Sequence, residues 1–104
     1  MLYDTKWDAK TYDAVGAVLL RAAARLERDG WCQGKMRDGD AHCVLSALYE
    51  ESRIEQVSHA DVDFYFDAAR RLDTVVGKDV VIWNDEAGRT KQEVLYALRL
   101  AAVR

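Results

Sequence analysis

A chain of 104 residues with 15 basic and 18 acidic side chains, half of it hydrophobic, has the size and composition of one globular domain and not of a disordered segment. Its formal charge of −3 leaves no broad electrostatic footprint for nucleic acid, whose binding draws on phosphate neutralisation, and offers little to an anionic membrane. The opening Met1-Leu2-Tyr3-Asp4-Thr5-Lys6-Trp7-Asp8 has no apolar signal region, and the apolar run Ala14 to Leu20 is too short to cross a bilayer. With two cysteines and no export signal, the expected setting is the reducing cytoplasm, without a disulfide framework.

Proline is absent, so helices must be broken by Gly, Asn, Asp and Ser. Val15, Val18, Leu19, Ala22 and Leu26 repeat at the spacing of one helical face, with Arg21, Arg25 and Arg28 largely off it. Thr11 or Asp8 is the expected cap, and Asp29-Gly30 the end, with Gly30 as a left-handed C-cap. Gly30 to Asp40 reads as a loop with a short extended piece at Trp31-Cys32. A second helix is expected from near Asp40, carrying Val44, Leu45, Leu48 and Tyr49 on one side. A third is announced by Ser58 with Asp61 in a capping-box-like position, and its expected buried stripe is Val62, Tyr65, Phe66, Ala69 and Leu72.

Thr74-Val75-Val76 and Val80-Val81-Ile82-Trp83 are rich in β-branched residues around Gly77, so a small hairpin is admitted over residues 74–83. Asn84 to Gly88 is a turn. Thr90-Lys91-Gln92-Glu93 then matches a capping box, before a helix with Val94, Leu95, Leu98, Ala101 and Ala102 on its apolar face. The expected fold is all-α, four helices in one domain over residues 1–104, with residues 1–10 as an N-terminal segment. Tyr3, Trp7 and Tyr12 in and beside that segment either pack back over the domain or form an aromatic patch of the kind that anchors interfaces.

Four groups of residues invite a functional reading. Cys32, His42, Cys43 and His59 contain the ligand types of a zinc site, but neither Cys-x₂-Cys nor His-x₃-His spacing occurs, so no metal or cofactor is expected. Cys32 with His42 or His59 as base is the arrangement a small cysteine enzyme would need, yet no oxyanion donor set accompanies it. Asp38-Gly39-Asp40 starts like a calcium loop and then fails, with Cys43 and Tyr49 where Gly and Glu belong. Arg70-Arg71 with Arg21, Arg25 and Arg28 suggests a basic face, offset by Asp67, Asp73 and Glu27.

The remaining candidates are the two turns. In Gly30-Trp31-Cys32-Gln33-Gly34, Trp31 suits an anchor and the glycines suit hinges. Trp83-Asn84-Asp85 with Arg89 has the donors and acceptors of a polar binding site, with Trp31 and Gln33 as further binding candidates. A local role serves the second turn equally: Trp83 anchoring, Asn84 or Asp85 making an Asx turn, and Thr90 capping.

Three pieces in order, Gly30-Trp31-Cys32-Gln33-Gly34, Cys43-Val44-Leu45-Ser46-Ala47-Leu48, and Trp83-Asn84-Asp85 followed by Arg89-Thr90 and Glu93-Val94-Leu95, resemble a family of small uncharacterised proteins of actinobacteria and their bacteriophages. The resemblance runs over roughly residues 15 to 103, and its one departure is Leu45-Ser46, where a small Gly-containing segment is expected. It implies no assigned activity. By association it implies a phage or actinobacterial origin and binding to a host protein. The expected function is therefore non-enzymatic protein binding, with a homodimer admitted, no membrane partner, and a cysteine enzyme or nucleic-acid regulator as alternatives.

Overall fold

A computed structural model of the chain describes residues 12–58 and 64–103, the side chains of 54–58 excepted. Five helices and one hairpin are described: α1 (Ala14–Asp29), β1 (Arg37–Asp38), β2 (Ala41–His42), α2 (Val44–Ser58), α3 (Phe64–Val76), α4 (Val80–Asn84) and α5 (Lys91–Ala102). The protein is mostly helical, as its periodicity requires. Tyr3, Asp8, Trp7, Thr11, His59, Asp61 and Val62, for which the sequence sets expectations, lie outside the described residues.

Helix α1 follows its sequence pattern closely. Val15, Val18, Leu19, Ala22 and Leu26 are all buried. Its start is capped by Asp13, whose carboxylate accepts the Gly16 N–H at 2.8 Å. At its end the Gly30 N–H bonds to the Leu26 carbonyl at 2.8 Å. Gly30 has φ 105° and ψ 160°, a conformation open to glycine alone, so the expected left-handed helical cap is replaced by an immediate turn into extended chain.

That turn sends Trp31 alongside His42 in a parallel bridge, while β1 pairs with β2 on the other side, Arg37 opposite His42 and Asp38 opposite Ala41. The hairpin therefore lies at Arg37–His42. Residues 74–83, where the β-branched run admitted strands, are instead helical apart from the break at Gly77 to Asp79. The reason is the cap: the Asp79 carboxylate accepts the N–H groups of Val81 and Ile82 at 2.8 and 3.4 Å, and Asp73 accepts that of Val80 at 2.9 Å. Val80 and Trp83 are then buried on one side of a short helix, which outweighs a weak β-propensity.

Helix α2 starts at Val44, four residues after the expected Asp40, because the hairpin occupies the intervening chain. It continues through Ser58, which therefore does not open α3. The stripe of α3 falls on Phe64, Ala68 and Leu72, with Ala69 partly buried, Tyr65 half-buried and Phe66 exposed. Tyr49 and Phe66 instead each make an edge-to-face contact with Tyr65, at 5.9 and 5.3 Å between ring centroids. In α5 the Thr90–Glu93 capping box is present as read, and Val94, Leu95, Leu98, Ala101 and Ala102 are buried.

Leu19, Leu26, Leu48, Phe64, Leu72, Leu95 and Leu98 fill the centre, each side chain contributing on the order of 1.5–3 kcal/mol by burial. Helix α1 is the axis, packing along α5, α2 and α3. Two contacts fix it there. Glu51 of α2, buried, accepts from Arg21 at 3.1 Å and Arg25 at 2.8 Å, so one carboxylate joins two turns of α1. At the other end the backbone of Gly16 lies so near α5 that a β-carbon there would stand 2.5 Å from the Ala102 carbonyl oxygen. Gly16→Ala is expected to cost about 1–3 kcal/mol by forcing α5 outward, read as a lower midpoint in thermal or denaturant unfolding; an unchanged midpoint would refute this close approach.

Candidate functional site

The two conspicuous turns meet. Trp31 donates its indole N–H to Oδ1 of Asn84 at 2.8 Å, and Asn84 is only 1% exposed. The same oxygen accepts the N–H of Val44, the first residue of α2, at 3.2 Å. The Asn84 amide nitrogen donates to the Cys32 carbonyl at 3.3 Å and to the Asp85 carboxylate at 2.8 Å. All four hydrogen-bonding positions of this amide are thus occupied. Reversing it would set donor against donor at Trp31 and Val44, so the partners themselves fix its orientation.

Around this hub the other candidates are also committed. Gln33 donates to the carbonyls of Asn84 and Glu86, both at 2.9 Å, which satisfies the end of α4. The Gly34 N–H donates to Asp85 at 2.9 Å. That bond, followed by the Asn84 amide, holds the Asp85 carboxyl below its ordinary pKa. Arg89 donates to the Trp83 carbonyl at 3.0 Å, lies 4.1 Å from the Trp83 ring centroid and pairs with Glu86. Lys78 reaches Glu86 at 2.5 Å and lowers its pKa.

Trp31, Gln33, Trp83, Asn84, Asp85 and Arg89 therefore form one assembly whose polar groups are turned on one another. It clasps the α1–hairpin turn to α4 and caps α2 from across the fold.

The chain lies within a recognised grouping. A family model described as Family of unknown function (DUF6197) matches residues 10–104. The protein belongs to this family. No curated protein and no solved structure matches the chain. The clasp is thus a structural feature of one family member, to be read from its own chemistry.

The described thiol and imidazole candidates lie beside the clasp, where the Cys32 N–H donates to the His42 carbonyl at 3.0 Å. The Cys32 thiol faces the carbonyls of Lys35 at 3.5 Å and Met36 at 3.9 Å, and burial, followed by the nearby Cys43, pushes its pKa up. A raised pKa opposes the thiolate that nucleophilic attack requires. His42 is 2% exposed, with Nδ1 at 2.8 Å from the Ser46 hydroxyl, and burial, followed by Arg37, lowers its pKa. Among the described residues no three His, Cys, Asp or Glu side chains converge as a metal-binding group, and no helix is long and apolar enough to cross a membrane. Each arginine of the suggested basic face meets a carboxylate: Arg21 and Arg25 meet Glu51, Arg28 meets Asp29, Arg70 meets Asp67 and Arg71 meets Asp13.

One feature escaped the sequence reading. Tyr96 and Leu100 are 67% and 49% exposed one turn apart, an apolar pair on α5 beside its buried face. The spacing was present in the sequence and was masked by the stronger stripe of Val94, Leu95 and Leu98. With Val75, Val76, Trp83 and Arg89 it borders a groove of about 300 Å³ between α3 and α5.

Replacing Asn84 by Asp keeps the shape but turns two donations into repulsions against the Cys32 carbonyl and Asp85; the expected loss is about 3–5 kcal/mol, seen as a fall of more than about 10 °C in Tm. A variant within about 0.5 kcal/mol of the parent would show that the amide is not a hub. His42, with its lowered pKa, stabilises the fold only above the ordinary imidazole range: the unfolded chain takes up a proton first as pH falls below about 6.5. Unfolding free energy should drop as pH falls below about 6.5, and His42→Gln should flatten that slope; an equal slope in both proteins would assign the effect elsewhere.

Proposed function

We propose that the protein is a non-enzymatic binding module whose partner is another protein, engaged through the α3–α5 groove. The observation that carries this reading is the division between the two sets of candidate residues. The polar motif residues are consumed within the clasp, while Tyr96 and Leu100 present apolar surface outward beside the Trp83–Arg89 stack. Tyrosine, tryptophan and arginine are the side chains that most often carry interface energy. Apolar side chains one helical turn apart along a groove suit a partner helix laying its own apolar face against them. The resemblance to proteins of actinobacteria and their phages supports a bacterial host protein as that partner.

Tyr96→Ala and Leu100→Asp test this. Both positions are exposed, so each variant should fold within about 0.5 kcal/mol of the parent. Capture of the partner from bacterial lysate, quantified by mass spectrometry, should fall about 30-fold for a hot-spot loss near 2 kcal/mol. Capture unaffected by both variants would overturn the groove. Light scattering that shows a dimer of the purified chain, abolished by the same variants, would replace the heterologous partner with a second copy.

A further inference from the structure

A cleft of about 160 Å³ lies where the loop before β1, the start of α2 and the end of α4 meet, and it shares no residue with the α3–α5 groove. Most of its lining is apolar. Val44 is fully buried, Cys43 nearly so, and Leu45 packs partly buried against the core. Met36 and Val81 border the same space with 52% and 43% of their surface exposed. Exposed apolar side chains are ordinary when scattered singly, but here they share one concave surface, which is the usual form of a small-molecule site.

The charged part of the lining is uneven. Among the described residues Asp85 is its one acid and Lys35 its one base. The Lys35 ammonium lies 3.8 Å from Asp38 on β1, so a carboxylate outside the cleft already offsets it. Asp85 has no such partner. Its Oδ1 accepts both the Gly34 N–H and the Asn84 amide, while its Oδ2 accepts no hydrogen bond and meets no cation among the described residues. The clasp therefore fixes this carboxylate in place and leaves one of its oxygens free. We propose that the cleft binds a small organic cation, with a primary ammonium paired to Asp85 and an apolar body of about one ring against Met36, Leu45 and Val81.

Size and charge together select this class. Apolar space of about 150 Å³ accommodates benzene, so 160 Å³ takes one ring or a branched chain of similar bulk. A carboxylate or phosphate ligand would meet Asp85, which the Gly34 and Asn84 hydrogen bonds keep ionised at neutral pH. An uncharged ligand would gain the apolar contact alone. The surface also needs little reordering to bind. The Met36 carbonyl accepts the Cys43 N–H at 2.8 Å, and the Val44 N–H is held by Asn84 at 3.2 Å, so the backbone around the cleft is set by the clasp before a ligand arrives.

The test is an NMR titration of the isotopically labelled full chain at neutral pH with benzylamine and with benzyl alcohol, its uncharged counterpart. The amide signals of Gly34, Val44 and Val81 should shift and saturate with both, benzylamine in roughly the millimolar range expected of so small a ligand. Benzylamine should bind about three- to fivefold more tightly, the margin of an exposed ion pair. Raising the salt from about 20 mM to about 0.5 M should remove most of that margin. Asp85→Asn keeps a carbonyl oxygen to accept from Gly34 and Asn84; it should equalise the two ligands and leave the affinity for the alcohol unchanged. Met36→Ala should weaken both about threefold by removing apolar contact. No saturable shift at these amides, or shifts at Tyr96 and Leu100 instead, would overturn the cleft. Undiminished affinity in Met36→Ala would overturn its apolar wall. Equal affinity for amine and alcohol in the parent, or a margin that survives high salt or Asp85→Asn, would overturn the cation. The salt comparison needs no variant, so the role of charge is decided even if Asp85→Asn disturbs the clasp.

Discussion

Asn84 is the constraint around which the architecture closes. Its amide is buried and makes two acceptances and two donations, to chain segments 40 to 53 residues away and to its own neighbour. A buried amide left partly unpaired costs on the order of 1–3 kcal/mol per group. The fold therefore has to bring Trp31, Cys32 and Val44 to this point together or not at all. That requirement explains why a five-residue helix, too short to be stable alone, is found between α3 and α5. Helix α4 exists to place Asn84, and its own ends are satisfied by Asp79 on one side and by Gln33 and Arg89 on the other.

The remainder of the domain is arranged about α1 with the same economy. Glu51 spans Arg21 and Arg25, so the α1–α2 packing carries a specific register as well as apolar contact. A buried carboxylate with two guanidinium partners adds little net stability over a well-packed apolar pair, but a shift of one turn would put Asp29 or Ala17 where one of the two arginines now stands. At the opposite end Gly16 sets how closely α5 approaches. The clasp, the carboxylate bridge and the glycine contact act on α4, α2 and α5 in turn, and each would be lost by a slip of its helix.

Much of this was legible in the sequence where the signal was local. The α1 stripe and the Thr90–Glu93 capping box depend on residues within a few positions of one another, and both stand as read. The two turns stood out by composition, but nothing in the chain states that residue 31 bonds residue 84, because that pairing is decided by packing across the core. The misplaced hairpin has the same origin. Val75, Val76, Val80, Val81 and Ile82 favour strands locally, yet Asp79 supplies a helix cap and the buried positions are one turn apart. The strands form at Arg37–His42, a polar stretch, because His42 is held between Trp31 and Arg37. Similarly, the α3 stripe fell one step from Tyr65 and Phe66, since α2 runs on through Ser58.

The same division between local and distant causes bears on where function lies. Rare residues such as tryptophan, cysteine and asparagine draw attention in a sequence, but an amide with every hydrogen bond spent has no capacity left for a ligand. Trp83 illustrates the transition: the residue is 8% exposed and Arg89 stacks on its ring, so what it offers outward is a stacked guanidinium and not an indole. That stack is held by the Trp83 carbonyl and Glu86, which means the floor of the α3–α5 groove is ordered by the clasp behind it. Pre-organisation of this kind lowers the entropy cost of any contact made at that surface, because Arg89 is already immobilised. In the proposed binding mode the clasp acts from behind: loosening Asn84 would leave Tyr96 and Leu100 in place on α5 while removing the order from the Trp83–Arg89 side of the groove.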